Sequence, residues 1–292
     1  MPAAIQEQLN FQTLDVRREE EATYRDNYNR RPFVLRHKLA GHPLLQLSHL
    51  TRVAQSLAQT RPDHLYYNVG NLGIGHGWDS TSERPFSASE AIQRIESADA
   101  WMILRRVQIL PEYGELLDRI LREIHELSGR DLDDQTMDRN ISVIITSPKR
   151  ITPYHMDADC NYLLQLDGQK TAYVFDGADR SVVTATELER FYLGDVNAAQ
   201  YREASQPGAW RFEMTPGMGI HVPVTFPHWV ENADNVSISA SLNFRFTDRT
   251  VPDIYRVNHY LRKLGFNPDR VGDGTKKLAI KTLRAAAWRN RR

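Results

Sequence analysis

The hydrophobic pattern of this chain changes period twice. From Leu44 to Leu57 (LLQLSHLTRVAQSL) apolar residues recur at three- and four-residue spacing, which lays a single buried stripe along a helix. A second helix is predicted to start at Ser87 or Ser89, where a hydroxyl can cap the free amides ahead of Glu90 and the run AIQRIE. WMILRRVQIL, residues 101–110, reads as a strand. Residues 111–128 open on Pro111 and acids and close at Gly129, the start and stop signals of a helix. From about Asn140 the period changes. NISVIITS, NYLLQLDG, TAYVFDG, AWRFEMTPG, GIHVPV and VSISASLNFRF are short β-branched or aromatic runs broken by Gly, Pro and Asp, as antiparallel strands are. After Pro252 helical patterns return in IYRVNHYLRKLG and KKLAIKTLRAAAWRNRR.

The expected architecture is α+β. A mainly helical region, 1–135, packs on a jelly-roll barrel, 136–250, and C-terminal helices, 251–292, follow. Composition narrows the class without changing that outline. The 292 residues are 41% hydrophobic and 25% charged, which fits a globular chain and excludes disordered and collagen-like ones. Lys plus Arg equals Asp plus Glu at 37 each, so net charge gives no reason to expect nucleic acid or a membrane surface as partner. Cys160 is the only cysteine, which rules out an internal disulfide and a cysteine-only zinc site. The N-terminus lacks a secretory pattern, no apolar run approaches a bilayer span, and a cytoplasmic location is expected. The glycine-rich stretch 68–78, NVGNLGIGHGW, lacks the Gly-Lys-Ser/Thr ending of a phosphate-binding loop and reads as a loop or lid.

The chemistry concentrates in two segments. In TPYHMDADCNYLLQLDGQK, from Thr152 to Lys170, His155 and Asp157 are two apart, so on a strand both point the same way and can approach one ion. About seventy residues later, PGMGIHVPVTFPHWVENADNVSISAS holds His221 and His228, and either could bring a second imidazole across the barrel. Two histidines and one carboxylate on one side of an ion leave positions open, the arrangement of non-haem Fe(II) oxygenases, whereas a structural zinc site is closed.

The spacing His-x-Asp, Asn six residues after the His, Gly-x-Lys ending fifteen after it, and later Pro-Gly, Val-Pro and Pro-His-x-Val resembles the cupin-like branch of the Jumonji-C hydroxylases. The resemblance covers roughly residues 140–246. It implies a double-stranded β-helix that binds Fe(II) through His155, Asp157 and His228 and uses 2-oxoglutarate and O2 to hydroxylate a C–H bond of a peptide side chain or small molecule. It matches Lys170 and Thr152 to the groups that hold the distal carboxylate of 2-oxoglutarate, and Asn161 and Asn243 to amides at the cosubstrate end of the site. On this reading His221 lines the pocket or satisfies a core hydrogen bond. Arg245, two after Asn243, sits beside the ligands or against substrate. The C-terminal helices match in position those that pair subunits in a hydroxylase of the branch, which implies a homodimer. A non-catalytic cupin-like regulatory protein is the alternative reading.

Overall fold

A computed structural model describes residues 12–70, 72–77, 87–268, 274 and 276–281. Helix α1 (Glu21–Asn27) leads to strand β1 (Phe33–Arg36), then α2 (Leu47–Thr60), β2 (Leu65–Val69), α3 (Ala88–Gln93), β3 (Ala100–Leu104), α4 (Pro111–Ser128) and α5 (Leu132–Gln135). Strands β4 (Thr136–Thr146), β5 (Ile151–His155), β6 (Cys160–Asp167) and β7 (Lys170–Val174) follow, then α6 (Ala185–Tyr192), β8 (Trp210–Met214), β9 (Met218–Val222), β10 (His228–Asn232), β11 (Ser237–Phe246) and α7 (Thr250–Lys263). The strands form two antiparallel sheets, ordered β1-β9-β6-β11-β4-β3-β2 and β5-β10-β7-β8. Together they make the expected jelly-roll.

Local signals explain several boundaries. Ser87 caps α3, its hydroxyl accepting from the Glu90 amide while the Glu90 carboxylate reaches back to Ser87. Helix α4 starts at Pro111 and ends where Gly129 takes φ 64°. The run 101–110 is a strand only to Leu104. Arg106 adopts φ 52°, a left-handed turn that ends the pleat, and Val107–Ile109 is a short 3-10 turn. The helix expected over Leu44–Leu57 starts at Leu47, because Pro43–Leu45 is a 3-10 turn, and continues to Thr60. Helix α6, with Thr184 and Glu187 forming its capping box, had no place among the sequence expectations. The region before residue 136 does more than pack on the barrel. Its β1, β2 and β3 are strands of the larger sheet.

That larger sheet divides the interior. Ile238, Ala240, Leu242 and Phe244 of β11, with Cys160, Tyr162 and Leu164 of β6, join the core under the N-terminal helices. On the barrel side, Leu163, Ala172, Val174, Ile220, Val222 and Val230 pack between the two sheets. A third cluster, including Tyr154, Phe175, Leu188 and Trp229, covers the outer face of the smaller sheet under α6.

Candidate metal centre

His155 closes β5 and His228 opens β10, and the two are paired directly across the strands. Their rings lie 4.2 Å apart between centroids. Asp157, just past β5, brings Oδ2 within 3.7 Å of Nε2 of each histidine. One ligand atom from each of the three residues falls within 4.8 Å of the others, the one such grouping of metal-ligating side chains among the described residues. In both rings Nδ1 faces a carbonyl two residues back, Pro153 O at 2.8 Å and Phe226 O at 3.0 Å. A carbonyl can only accept, so Nδ1 carries a proton in each ring, and Nε2 of each is turned toward Asp157 and the space between. Burial, and secondarily the His228 ring, hold His155 well below the usual histidine range, while burial raises Asp157 against the pull of His228 and Arg245. Without an ion the cluster disfavours charge. A divalent cation supplies the positive charge that the carboxylate lacks.

A register irregularity decides what else faces inward. His228 pairs with His155 but Val230 pairs with Thr152, so β5 carries one extra residue over this interval. Three residues apart on a regular strand point to opposite faces, whereas here Thr152 and His155 both oppose inward residues of β10. Tyr154, between them, packs in the outer cluster.

Lys170 opens β7 opposite Asn232 and lies on the face of Ala172 and Val174, inside the barrel. It is 6% exposed. No hydrogen bond or ion pair reaches its ammonium among the described residues, and burial lowers it to about 7. Asn161 and Asn243 face each other across β6 and β11, the Asn161 amide donating to Asn243 Oδ1 at 2.6 Å and to Ser241 Oγ at 2.7 Å. Both lie on the barrel side.

His221 is placed elsewhere. Its neighbours along β9, Ile220 and Val222, face the barrel, so its ring points to the other side of the sheet, among Tyr28, Phe33 and Tyr162. There Nδ1 donates to Asn161 O at 3.1 Å and Nε2 accepts from the Asn29 amide at 2.9 Å. Burial lowers it to about 3, so it stays neutral. It neither lines the pocket nor approaches Asp157; of the two roles expected for it, the structure contains the core hydrogen bond. Arg245 does line the cavity, where Nε donates to Asp159 at 2.7 Å and Nη1 lies 3.5 Å from Asp138.

The cavity over the cluster has a volume of about 890 Å³, and its floor includes His155 and Asp157. The side-chain surface of Asp157 is 40% exposed because it faces this space. Phe191, Tyr192 and Val196 form one wall, and Arg249, Val251 and Pro252 at the start of α7 form another. Lys170, Thr152, Asn161 and Asn243 lie outside this lining, behind the cluster. The segment 72–77 covers the free edge of β5, where the Tyr154 amide donates to Ile74 O at 2.9 Å; Asn71 and Trp78 of the predicted loop lie outside the described residues. Sequence reasoning missed α6 and Asn29 as cavity walls. Thr184-x-x-Glu187 ahead of an apolar run was a readable signal for the helix.

Fold and site together define a double-stranded β-helix protein with two histidines and one carboxylate at one end of the barrel. Among solved structures it is similar to YcfD of Escherichia coli, with 15% identity and a TM-score of 0.54 over 90% of this chain and 62% of that one. It is also similar to YcfD, a ribosomal oxygenase from Escherichia coli, in complex with cobalt and 2-oxoglutarate, with 15% identity and a TM-score of 0.52 over 89% of this chain and 60% of that one. The likeness is one of fold, and the chain spans about 60% of the length of these structures. No family model and no curated protein matches the sequence.

Proposed function

We propose that the chain is an Fe(II)- and 2-oxoglutarate-dependent oxygenase that hydroxylates a C–H bond of a peptide side chain or small molecule, with His155, Asp157 and His228 as the metal ligands. The observation that carries this reading is Lys170, a buried ammonium without a partner among the described residues, in the same barrel as an open two-histidine-one-carboxylate cluster. A buried cation needs an anion, and a keto acid that also chelates the metal meets both requirements. When bound, the metal and 2-oxoglutarate supply the oxidising chemistry, in which O2 is consumed, succinate and CO2 form, and one oxygen atom enters the substrate. The protein's part is to keep both Nε2 lone pairs aimed by the Nδ1 bonds, to hold the distal carboxylate with Lys170 and Thr152, and to support that end with Asn161 and Asn243. The cavity is large enough for a side chain with its flanking backbone, and Arg245 is the charged group best placed to meet substrate beside Asp157. The fold is similar to that of a ribosomal oxygenase solved with cobalt and 2-oxoglutarate, in line with use of that cosubstrate.

Anaerobic titration with Fe(II) and then 2-oxoglutarate tests the reading. A weak visible charge-transfer band, followed by succinate formation on admission of O2, is expected. Keto-acid binding without succinate would favour the regulatory alternative, and the absence of keto-acid binding would end the oxygenase reading.

We also propose that two chains pair through their C-terminal helices in the cytoplasm. Residues 276–281 are helical, Leu278 among them is 66% exposed, and the rest of the predicted helix to Trp288 lies outside the described residues. No described helix is long and apolar enough to cross a membrane. Truncation after Asp273 should halve the mass in solution, and an unchanged mass would count against pairing.

A further inference from the structure

The segment between β9 and β10, residues 223–227, is held on every side, and its contacts lead to the metal cluster. The Thr225 amide donates to Asp157 O at 2.9 Å, and Phe226 O takes the Nδ1 proton of His228 at 3.0 Å. The Phe175 amide donates to Pro227 O at 2.8 Å. Opposite, Gly177 packs so closely that a Cβ there would lie 2.5 Å from Thr225 O. Thr225 itself adopts φ 61°, a left-handed conformation that a β-branched residue rarely takes, so the segment needs outside support.

Asn29 supplies that support from the far end of the sequence. In the turn after α1 it takes φ 51°, a conformation asparagine tolerates. Its amide donates to His221 Nε2 at 2.9 Å, which fixes it against β9. Its side-chain Oδ1 accepts from the Val224 amide at 3.0 Å, and it shares the cavity wall with Val224 and Thr225. Neither of these hydrogen bonds goes to a proposed metal ligand.

We infer that Asn29 is a positioning residue for the metal centre, its carboxamide holding segment 223–227 in the arrangement that orients Asp157 and His228. The inference rests on the metal reading above. Loss of the acceptor frees the Val224 amide and lets strained Thr225 relax, which withdraws the amide from Asp157 and the carbonyl from His228. The backbone bond to His221 is a separate anchor, so the side chain can be removed alone.

Metal-free full-length chains should be titrated with Co(II), with calorimetric Kd, the Co(II) visible spectrum and the metal-free Tm measured for wild type, Asn29→Gly and Asn29→Asp. Glycine keeps the left-handed backbone and loses the acceptor, whereas aspartate keeps both. Asn29→Gly is expected to weaken Co(II) about 10- to 100-fold and to alter the spectrum with little change in metal-free Tm, and Asn29→Asp to restore most of the affinity. Gly177→Ala, which displaces the same segment from the other side and leaves Asn29 intact, should weaken Co(II) as well. Wild-type Kd and spectrum in Asn29→Gly, equal weakness of the Gly and Asp variants, or wild-type affinity in Gly177→Ala would each overturn the inference. Failure of the metal reading shows differently, as a wild-type chain whose Co(II) binding is absent or indifferent to His155→Ala.

Discussion

Along β11, Ile238, Ala240, Leu242 and Phe244 are buried toward the N-terminal helices, and Ser237, Ser239 and Ser241 are buried toward the barrel. One face of the larger sheet is an apolar core, and the other carries Asn161, Gln165 and a ladder of serines at equal depth. The inner face is tolerable because its groups satisfy one another. Ser239 Oγ donates to Gln165 Oε1 at 2.7 Å, the Gln165 amide to Ser237 Oγ at 2.9 Å, and the Asn232 amide to Thr146 Oγ1 at 2.7 Å. Lys170 breaks that rule. Depth therefore does not distinguish a core from a site in this fold; what sets the inner face apart is that its buried groups are polar and include the ammonium of Lys170.

The contrast predicts that substitutions on the barrel side remove function and those on the helix side remove stability. The largest effect is expected at the ligands, where His155→Ala, Asp157→Ala or His228→Ala abolishes metal binding while the fold persists. Elemental analysis beside circular dichroism checks this, and full occupancy in the His228 variant would contradict it.

Next is Lys170→Ala, which should weaken 2-oxoglutarate by about 3 to 5 kcal/mol with little change in metal affinity, and Lys170→Arg should not restore it fully. Because burial lowers Lys170 to about 7, the cation needed for the keto acid is depleted above that pH, and 2-oxoglutarate affinity should fall as pH rises beyond it. Stability runs the other way. Between about 7 and the ordinary lysine value near 10.4 the unfolded chain holds the extra proton, so Lys170 makes ligand-free stability rise with pH in that window. Lys170→Met should stabilise the ligand-free chain below pH 7 and erase that slope in denaturant titrations.

On the opposite face, Leu242→Ala should cost about 2 to 5 kcal/mol of stability and leave one metal per chain. The smallest effect is expected for His221→Phe, which keeps a ring among Tyr28, Phe33 and Tyr162 but leaves Asn29 N–H and Asn161 O without their partner, about 1 to 3 kcal/mol. Metal stoichiometry should be retained. A variant lacking metal would show that the His221 anchor of Asn29 is itself required at the metal centre.

The amino-acid sequence by itself determined what local periodicity and residue type can determine. β-Branched and aromatic runs between turn residues marked the strands β6 and β11, Pro111 and Gly129 bounded α4, His155 and Asp157 stood out by their spacing of two, and Lys170 stood out through the family resemblance. Register, long-range pairing and strain were decided by the tertiary structure. His221 and His228 are both strand histidines in one short stretch, and the turn at 223–227 sends the first to the outer face and the second toward His155 and Asp157. Thr152 shares the inner side with His155 only because β5 holds an extra residue against β10. Strand β1 joins the larger sheet through β9, far away in sequence, β2 and β3 join through β4, and Asn29 meets Val224 across 195 positions. Such contacts depend on pairings whose energy comes from the partner strand and not from the segment itself, so no window of sequence contains them.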